Sequence, residues 1–404
     1  MPAFATRITT HGVVIAFMLI ASGCATRMFE VPDVSYASFV DRSVTQTIGK
    51  VRISATVPTA EEVVAISGLD LYQKGIQPVW LRVENNESQR VRVALYSIDD
   101  EYFPPMEVAW YFRKGYSRDG RAAMERWFHE NTMPRIVPPG ETRSGLIFTH
   151  IAEGTKGFNV DAFTTGAMFN FTFFVPMPGF RPDYMDVQFE NLYGTDDIQN
   201  LDLEGLRQLL DGYDCCSTDS GGMALGDPFN VVIVATPIAL RRALLRSDWQ
   251  ETVSGSPESA LARRHYFQGR VPDGTFHRSR PDGSEKKELR IWLAPIRVDN
   301  MPVWLAQASY DMSGRQGNRT FEDYRIDPDL DDARAFVLQS FWYGQSLAKF
   351  GMSAGVPGGT IDQPQQNFIG NSWFTDGGRL VMVISEQPVA MDETEVLTWE
   401  RFVD

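Results

Sequence analysis

From Val51 to Val175 the chain consists of short runs in which apolar residues recur at every second position, separated by proline, glycine and asparagine. A period of two puts alternate side chains on opposite faces of a strand, so such runs fold by burying one face against a second layer. Val51-Arg-Ile-Ser-Ala-Thr-Val57 alternates, and Gln77 to Glu84 reads as a strand that turns across Asn85-Asn-Glu-Ser88 into Val91 to Tyr96. Thr142 to Thr149 follows the turn Pro138-Pro-Gly-Glu141, and Gly157 to Asp161 and Ala167 to Val175 complete the series. Gly120 to Asn131 reads as a helical insertion. The series predicts an antiparallel β-sandwich over residues 46–195, immunoglobulin-like in general shape.

Residues 196–226 change character and read as a linker. Asn200 to Tyr213 has the leucine spacing of a short amphipathic helix, followed by a glycine-containing loop with Cys215 and Cys216. Residues 227–404 then predict an α+β domain with a mixed sheet. A buried strand, Asn230 to Ala235, precedes a helix from Pro237 to about Trp249 with proline at its first position. Strands follow at His265 to Gly269, Leu289 to Ile296 and Val303 to Tyr310, then a long helix from about Asp329 to Phe350, and a last strand from Arg379 to Ser385. At 404 residues and 43% hydrophobic content, the chain can supply two cores.

The N-terminus carries an address. Gly12 to Ile20 is an apolar run too short to span a bilayer, and Ala21-Ser-Gly-Cys24 places small residues before a cysteine. This resembles the bacterial lipobox, with Ala21 where that pattern most often has leucine. The resemblance implies a signal peptide over residues 1–23, an acylated Cys24 as mature N-terminus, and a tether over residues 24–45. Ala25 in place of aspartate favours the outer membrane, facing the periplasm. The formal charge of -14 disfavours nucleic acid, whose phosphates require a Lys/Arg surface. It also predicts a body repelled by anionic head groups and held only by its acyl chains. The expected partners are the membrane, through the lipid anchor, and an envelope protein or polymer.

The chain has three cysteines. With Cys24 acylated, Cys215 and Cys216 are left as a vicinal disulfide, buried thiols or an intermolecular link. In an oxidising compartment the vicinal bridge leads, as a loop staple ahead of a redox switch.

Several motifs of the second half occur together: Gly226-Asp-Pro-Phe-Asn-Val-Val-Ile-Val234, Phe267-Gln-Gly-Arg270 with Asp273, Leu289-Arg-Ile-Trp-Leu-Ala-Pro295, Val303 to Asp311, and Ile326-Asp-Pro-Asp-Leu-Asp331 followed by Arg334. In this order they resemble the LssY C-terminal domain family over roughly Gly226 to Ser385. The resemblance implies that the Cys-Cys loop belongs with this domain. The family commonly has histidine where this chain has Glu288 and Tyr324. It brings no established activity.

No sequence motif identifies a reaction. Asp327, Asp329, Asp331 and Asp332 form the densest carboxylate cluster, but Asp332 and Leu338 stand where a calcium loop needs glycine and glutamate. Helix capping with Arg325 and Arg334 as charge partners is the better reading, and metal ligation by Asp327, Asp329 and Asp331 the weaker. Ser346-Leu-Ala-Lys349 spells Ser-x-x-Lys without the accompanying Lys-Thr-Gly. Arg270, Arg290, Trp292, Trp304 and Asp311 fall on neighbouring strands and are the best candidates for a pocket. They suit a buried Arg290–Asp311 pair among core tryptophans better still. No cofactor is expected. The first expectation for function is an envelope binding or structural module without a catalytic site; the alternative is a hydrolase acting on envelope lipid or glycan through a cleft in the second domain.

Overall fold

A computed structural model describes residues 27–30, 32, 37–152, 154–279, 286–312 and 326–399. The apolar leader and Cys24 lie outside them, as do Tyr324 and Arg325. The fold is mostly β, with several antiparallel sheets and one large mixed sheet.

In the first half, β1 (Val44–Ile48), β2 (Val51–Thr56), β3 (Ile76–Asn85) and β6 (Thr142–His150) form one antiparallel sheet in the order β1-β2-β3-β6. A second contains β4 (Val91–Ala94), β5 (Ile136–Val137), β7 (Lys156–Thr164) and β8 (Ala167–Val175), in the order β5-β4-β7-β8. Alternate residues of both sheets share one core: Ile53, Leu81 and Val83 from the first meet Val93, Val160, Phe171 and Phe173 from the second. The expected hairpin across Asn85 to Ser88 does not form, because β3 and β4 lie in different sheets. Asn85 explains the crossing. Its amide donates to the carbonyls of Gln89 and Val137, both at 2.9 Å, fixing the connection against a third segment.

The other face of the first sheet is also covered. Helices α1 (Ala37–Val40), α2 (Ala60–Ser67), α3 (Pro105–Phe112) and α4 (Arg118–Glu130) bring Phe39, Ile66, Val108 and Phe128 against Trp80, Leu146 and Phe148. Only α4 was legible in sequence. The expected tether is built into this layer: Phe29 is 6% exposed and packs edge-on against Tyr116 and Trp127. Arg27 N–H donates to Gly115 at 2.9 Å, and its carbonyl accepts from Ser117 at 3.0 Å. Gly120 permits this approach, since a Cβ there would come within 2.9 Å of the Arg27 carbonyl oxygen.

The second half is organised by a mixed sheet. Its order is β13 (Gln250–Glu251), β14 (Gly274–Ser279), β15 (Lys286–Val298), β16 (Met301–Asp311), β12 (Val231–Val234), β20 (Arg379–Ile384), β17 (Leu347–Ser353) and β21 (Glu395–Val396). β9 (Gln199–Leu201) joins β15 in parallel, and β12 pairs β16 antiparallel but β20 parallel. Val231, Ile233, Leu380 and Met382 face α6 (Pro237–Arg246) and α8 (Leu330–Tyr343), whereas Val232, Val234, Val381 and Val383 face α5 (Leu203–Leu210). Burial on both faces is why these strands read as continuous apolar runs. α7 (Pro257–Ala262), the β10–β11 ribbon (Cys216–Thr218 and Leu225–Pro228) and the β18–β19 hairpin (Gln365–Gln366 and Ser372–Trp373) complete the half.

Three expected elements change. The stretch Asn200 to Tyr213 splits into β9 and α5, with Asp202 capping α5 by accepting from Gly205 N–H at 2.7 Å. His265 to Gly269 is not a strand, because Gln268 and Gly269 both have positive φ and close a turn between Phe267 and Arg270. α8 stops at Tyr343, where Gly344 caps it and Gln345, at φ +53°, redirects the chain into β17. Ser346 and Lys349 therefore do not lie on one helical turn.

Truncating an aromatic side chain in a packed core typically costs about 3–5 kcal/mol. Phe29→Ala should therefore lower the unfolding midpoint measurably by circular dichroism, where truncation in a free tether would leave it unchanged.

Candidate functional site

Gly226-Asp-Pro-Phe-Asn230 runs from β11 into β12, and each of four residues has a distinct task. The Asn230 amide donates to the Ala308 carbonyl at 3.0 Å, while its oxygen accepts from Ala308 N–H at 2.8 Å, stitching the start of β12 to β16. Phe229 packs edge-on against Phe267 and Trp292. Asp227 is the hub: Asn367, in the β18–β19 turn, donates to one oxygen at 2.7 Å, and Arg290, on β15, donates to the other at 3.4 Å. Gly226 allows the ribbon to close on this group, because a Cβ there would lie 2.3 Å from Ser217 Oγ and 3.3 Å from His265 Nδ1.

Around the hub the side chains are sealed. Arg290 is 1% exposed, His265 and Ser217 0%, and Asp227 3%. Ser217 Oγ lies 3.2 Å from His265 Nδ1 and accepts from the Gln307 amide at 2.7 Å. His265 Nε2 stands 3.9 Å from Asp227. Burial pushes the Asp227 carboxyl up, opposed by Arg290 and Asn367. It holds His265 well below the usual imidazole range, with Arg290 and Arg264 acting in the same direction. The result is a neutral buried imidazole within a packed polar network.

The sequence-selected residues divide among four places. Arg290 belongs to the hub and also pairs with Glu288 at 2.5 Å. It faces Gln307 across β15–β16, whereas Asp311 faces Lys286. The register thus separates the expected partners, and Asp227 and Glu288 hold Arg290 instead. Arg270 bonds Asp273 at 2.6 Å, the Tyr193 hydroxyl at 2.6 Å and the Leu293 carbonyl at 2.9 Å, while Trp292 donates to the Arg270 carbonyl at 3.3 Å. Trp304 donates to the Ala235 carbonyl and edges a separate apolar pocket of about 300 Å³ beside Tyr184, Phe189, Ile238 and Phe276. The five do not converge.

Cys215 and Cys216 form a vicinal disulfide, with Cys216 in a small cluster containing Leu330, Val356 and Trp373. Asp329 caps α8 by accepting from Asp331 N–H at 3.1 Å, and Asp327 accepts from Asp329 N–H at 3.1 Å. Asp331 accepts from Thr375 and Asp376 and pairs with Arg334 at 3.2 Å. Among the described residues, no group of three or more His, Cys, Asp or Glu side chains is arranged to hold a metal.

A cleft that sequence reading missed lies where β1, β7 and β8 face α6. Its volume is about 630 Å³, and Gln46, Asn159, Thr172, Arg242 and Arg246 line it. Arg242 and Arg246 stand one helical turn apart, so their side chains share a face. Arg246 donates to Thr172 Oγ1 at 3.2 Å. Burial and the neighbouring Arg242 both lower its pKa, although a guanidinium stays charged. Arg242 Nε is buried without a hydrogen-bond partner. Asp161 and Glu386 also line the cleft, but they are engaged by Asn170 and Thr236. Among the described residues, neither arginine has a carboxylate within 4.0 Å. The i, i+4 arginine spacing was visible in sequence. The strands that complete the cleft were not.

Residues 207–378 match the family model described as LssY C-terminus. The chain carries an LssY C-terminal domain. The match starts inside α5 and so takes in Cys215, Cys216, the hub and Arg242; it ends just before β20. Within the matched stretch, Gly226 to Asn230 serves packing: glycine for contact, aspartate as hub, asparagine as stitch. No curated protein matches the chain.

Overpacking a tight site typically costs about 1–3 kcal/mol. Gly226→Ala should destabilise by that amount in denaturant unfolding, and Ser217→Ala in the same chain should recover part of the loss. Below pH 6.5 the unfolded chain protonates His265, while the folded chain resists it, so this contribution is present above pH 6.5 and is lost on acidification. Each pH unit below that point costs at most about 1.4 kcal/mol per such group. His277, lowered by burial to about 4, acts with the same sign. Unfolding midpoints measured from pH 7 to 5 should fall less steeply in His265→Asn than in the unaltered protein.

Proposed function

We propose that this protein is an exported, acylated envelope lipoprotein acting as a non-catalytic binding module, and that its ligand is an anionic group of an envelope polymer. The single observation that carries this reading is the Arg242–Arg246 pair. Two like charges held side by side in a polar cleft, without a close carboxylate among the described residues, are matched by an anion from outside. Gln46, Asn159 and Thr172 bond one another, the Gln46 amide donating to the Thr172 carbonyl at 2.5 Å and the Thr172 hydroxyl to Asn159 Oδ1 at 2.9 Å, and so form a fixed polar wall beside the two arginines.

The leader before Cys24 supports export to the outer membrane and anchorage by acyl chains, with no nucleic-acid partner. The two four-stranded sheets on one core support an immunoglobulin-like β-sandwich as the first of two domains. Hydrolysis is the lesser reading. Ser217, His265 and Asp227 are neighbours, but a buried hydroxyl and a His265–Asp227 separation beyond hydrogen-bond length do not make an activated nucleophile.

Glucose 6-phosphate, glucuronate and glucose distinguish charge from sugar recognition. The two anionic sugars should raise the unfolding midpoint and glucose should not. The shift should disappear in Arg242→Gln/Arg246→Gln. Equal effects of all three sugars, or a shift that persists in the double variant, would overturn the proposal.

A further inference from the structure

The end of the molecule where the described chain begins carries an unusual surface for an acidic protein. α3 buries Val108 and Ala109 and turns Met106, Trp110 and Tyr111 outward; Trp110 is 60% exposed. Arg113 lies over the Trp110 ring, 3.0 Å from its centroid. Between Met106 and Arg126 there are five basic and three acidic residues, against a whole-chain charge of -14. Arg27 is pinned to Gly115 and Ser117, in the turn that joins α3 to α4, and the exposed Met28 contacts the Ser117 hydroxyl.

Arg27 follows Cys24 by three residues, a reach of roughly 10 Å even when fully extended. An acyl chain on Cys24 would therefore hold the α3–α4 turn at the head-group layer, within about a Debye length of the charged surface. Tryptophan and tyrosine partition to that layer, and nearby Lys and Arg are attracted to anionic lipid.

We infer that Met28, Trp110, Tyr111, Arg113 and Lys114 form a bilayer-docking face that seats the protein on its own membrane, in place of a body standing off it. The inference rests on the lipoprotein reading of Cys24. Its occupant is a lipid surface because the short distance from Arg27 to Cys24 places that surface here, and because aromatic and cationic groups are combined in one patch.

The test uses the full protein purified from cells grown with a fatty-acid probe and reconstituted into phosphatidylcholine–phosphatidylglycerol vesicles containing lipid brominated near the head group. The protein should carry the label and float with the vesicles, and its tryptophan fluorescence should be quenched; Trp110→Phe should retain label and flotation but lose most of the quenching. Labelled, floating protein with the same quenching in both forms would overturn the docking face and leave the anchor standing. Absence of label would overturn the anchor reading. The face would then be judged on that unacylated protein: flotation with anionic vesicles, lost in Arg113→Glu/Lys114→Glu, upholds it, and no flotation overturns it.

Discussion

A carboxyl group closed off from water has to be met by fixed donors, and in the second half of this protein that requirement falls on Asp227. Burying an uncompensated charge is far more costly than the few kcal/mol by which a fold is stable. Arg290 and Asn367 supply the donors, and they come from β15 and the β18–β19 turn. Satisfying one side chain therefore fixes a strand in the middle of the mixed sheet, a distant hairpin and the ribbon beside the vicinal disulfide. Ser217, His265 and Gln307 extend the network to β10, the segment that follows α7, and β16. Removing one member would strand the others without solvent to replace it.

What could be read from sequence follows from the range of each interaction. β15 and β16 were legible because both alternate over many residues, and Asp329 was legible as a cap because capping is settled within one turn. The Gly226-Asp-Pro-Phe-Asn230 motif was visible, but its partners were not: Asn367 lies 140 residues further along, and nothing local in either segment specifies the other. The Arg290–Asp311 expectation failed on register. Both residues are buried on neighbouring strands, yet pairing is decided by which positions face each other, and a strand pattern does not number its neighbour. The N-terminal segment misled for a related reason. Phe29 and Phe39 lie in short apolar pairs without periodicity, and their burial becomes evident only once α4 and Trp80 are placed.

Net charge is likewise a coarse quantity, being an average over a surface that is not uniform. The value of -14 describes the whole molecule. Electrostatic interaction is screened beyond about 10 Å at moderate ionic strength, so a ligand or membrane senses only the patch it approaches. Arg242 with Arg246, and Arg113 with Lys114, are each local cationic features on an acidic body. The surrounding acidity keeps the rest of the surface from competing for the same anions.

The contrast between the hub and the cleft also bears on how perturbed ionisation should be read. Functional sites often shift pKa values, and His265 and Asp227 are both shifted. Here desolvation is the largest cause for each, and the same burial that shifts them withholds them from any reactant. Function needs perturbation together with access: a group must be costly to leave as it is and able to be relieved by something arriving from solution. Arg246, half-buried beside Arg242 on a cleft wall, meets that condition more nearly than the sealed network does. The shift at the hub is a consequence of packing, whereas the paired charge in the cleft is a cost that a bound anion would remove.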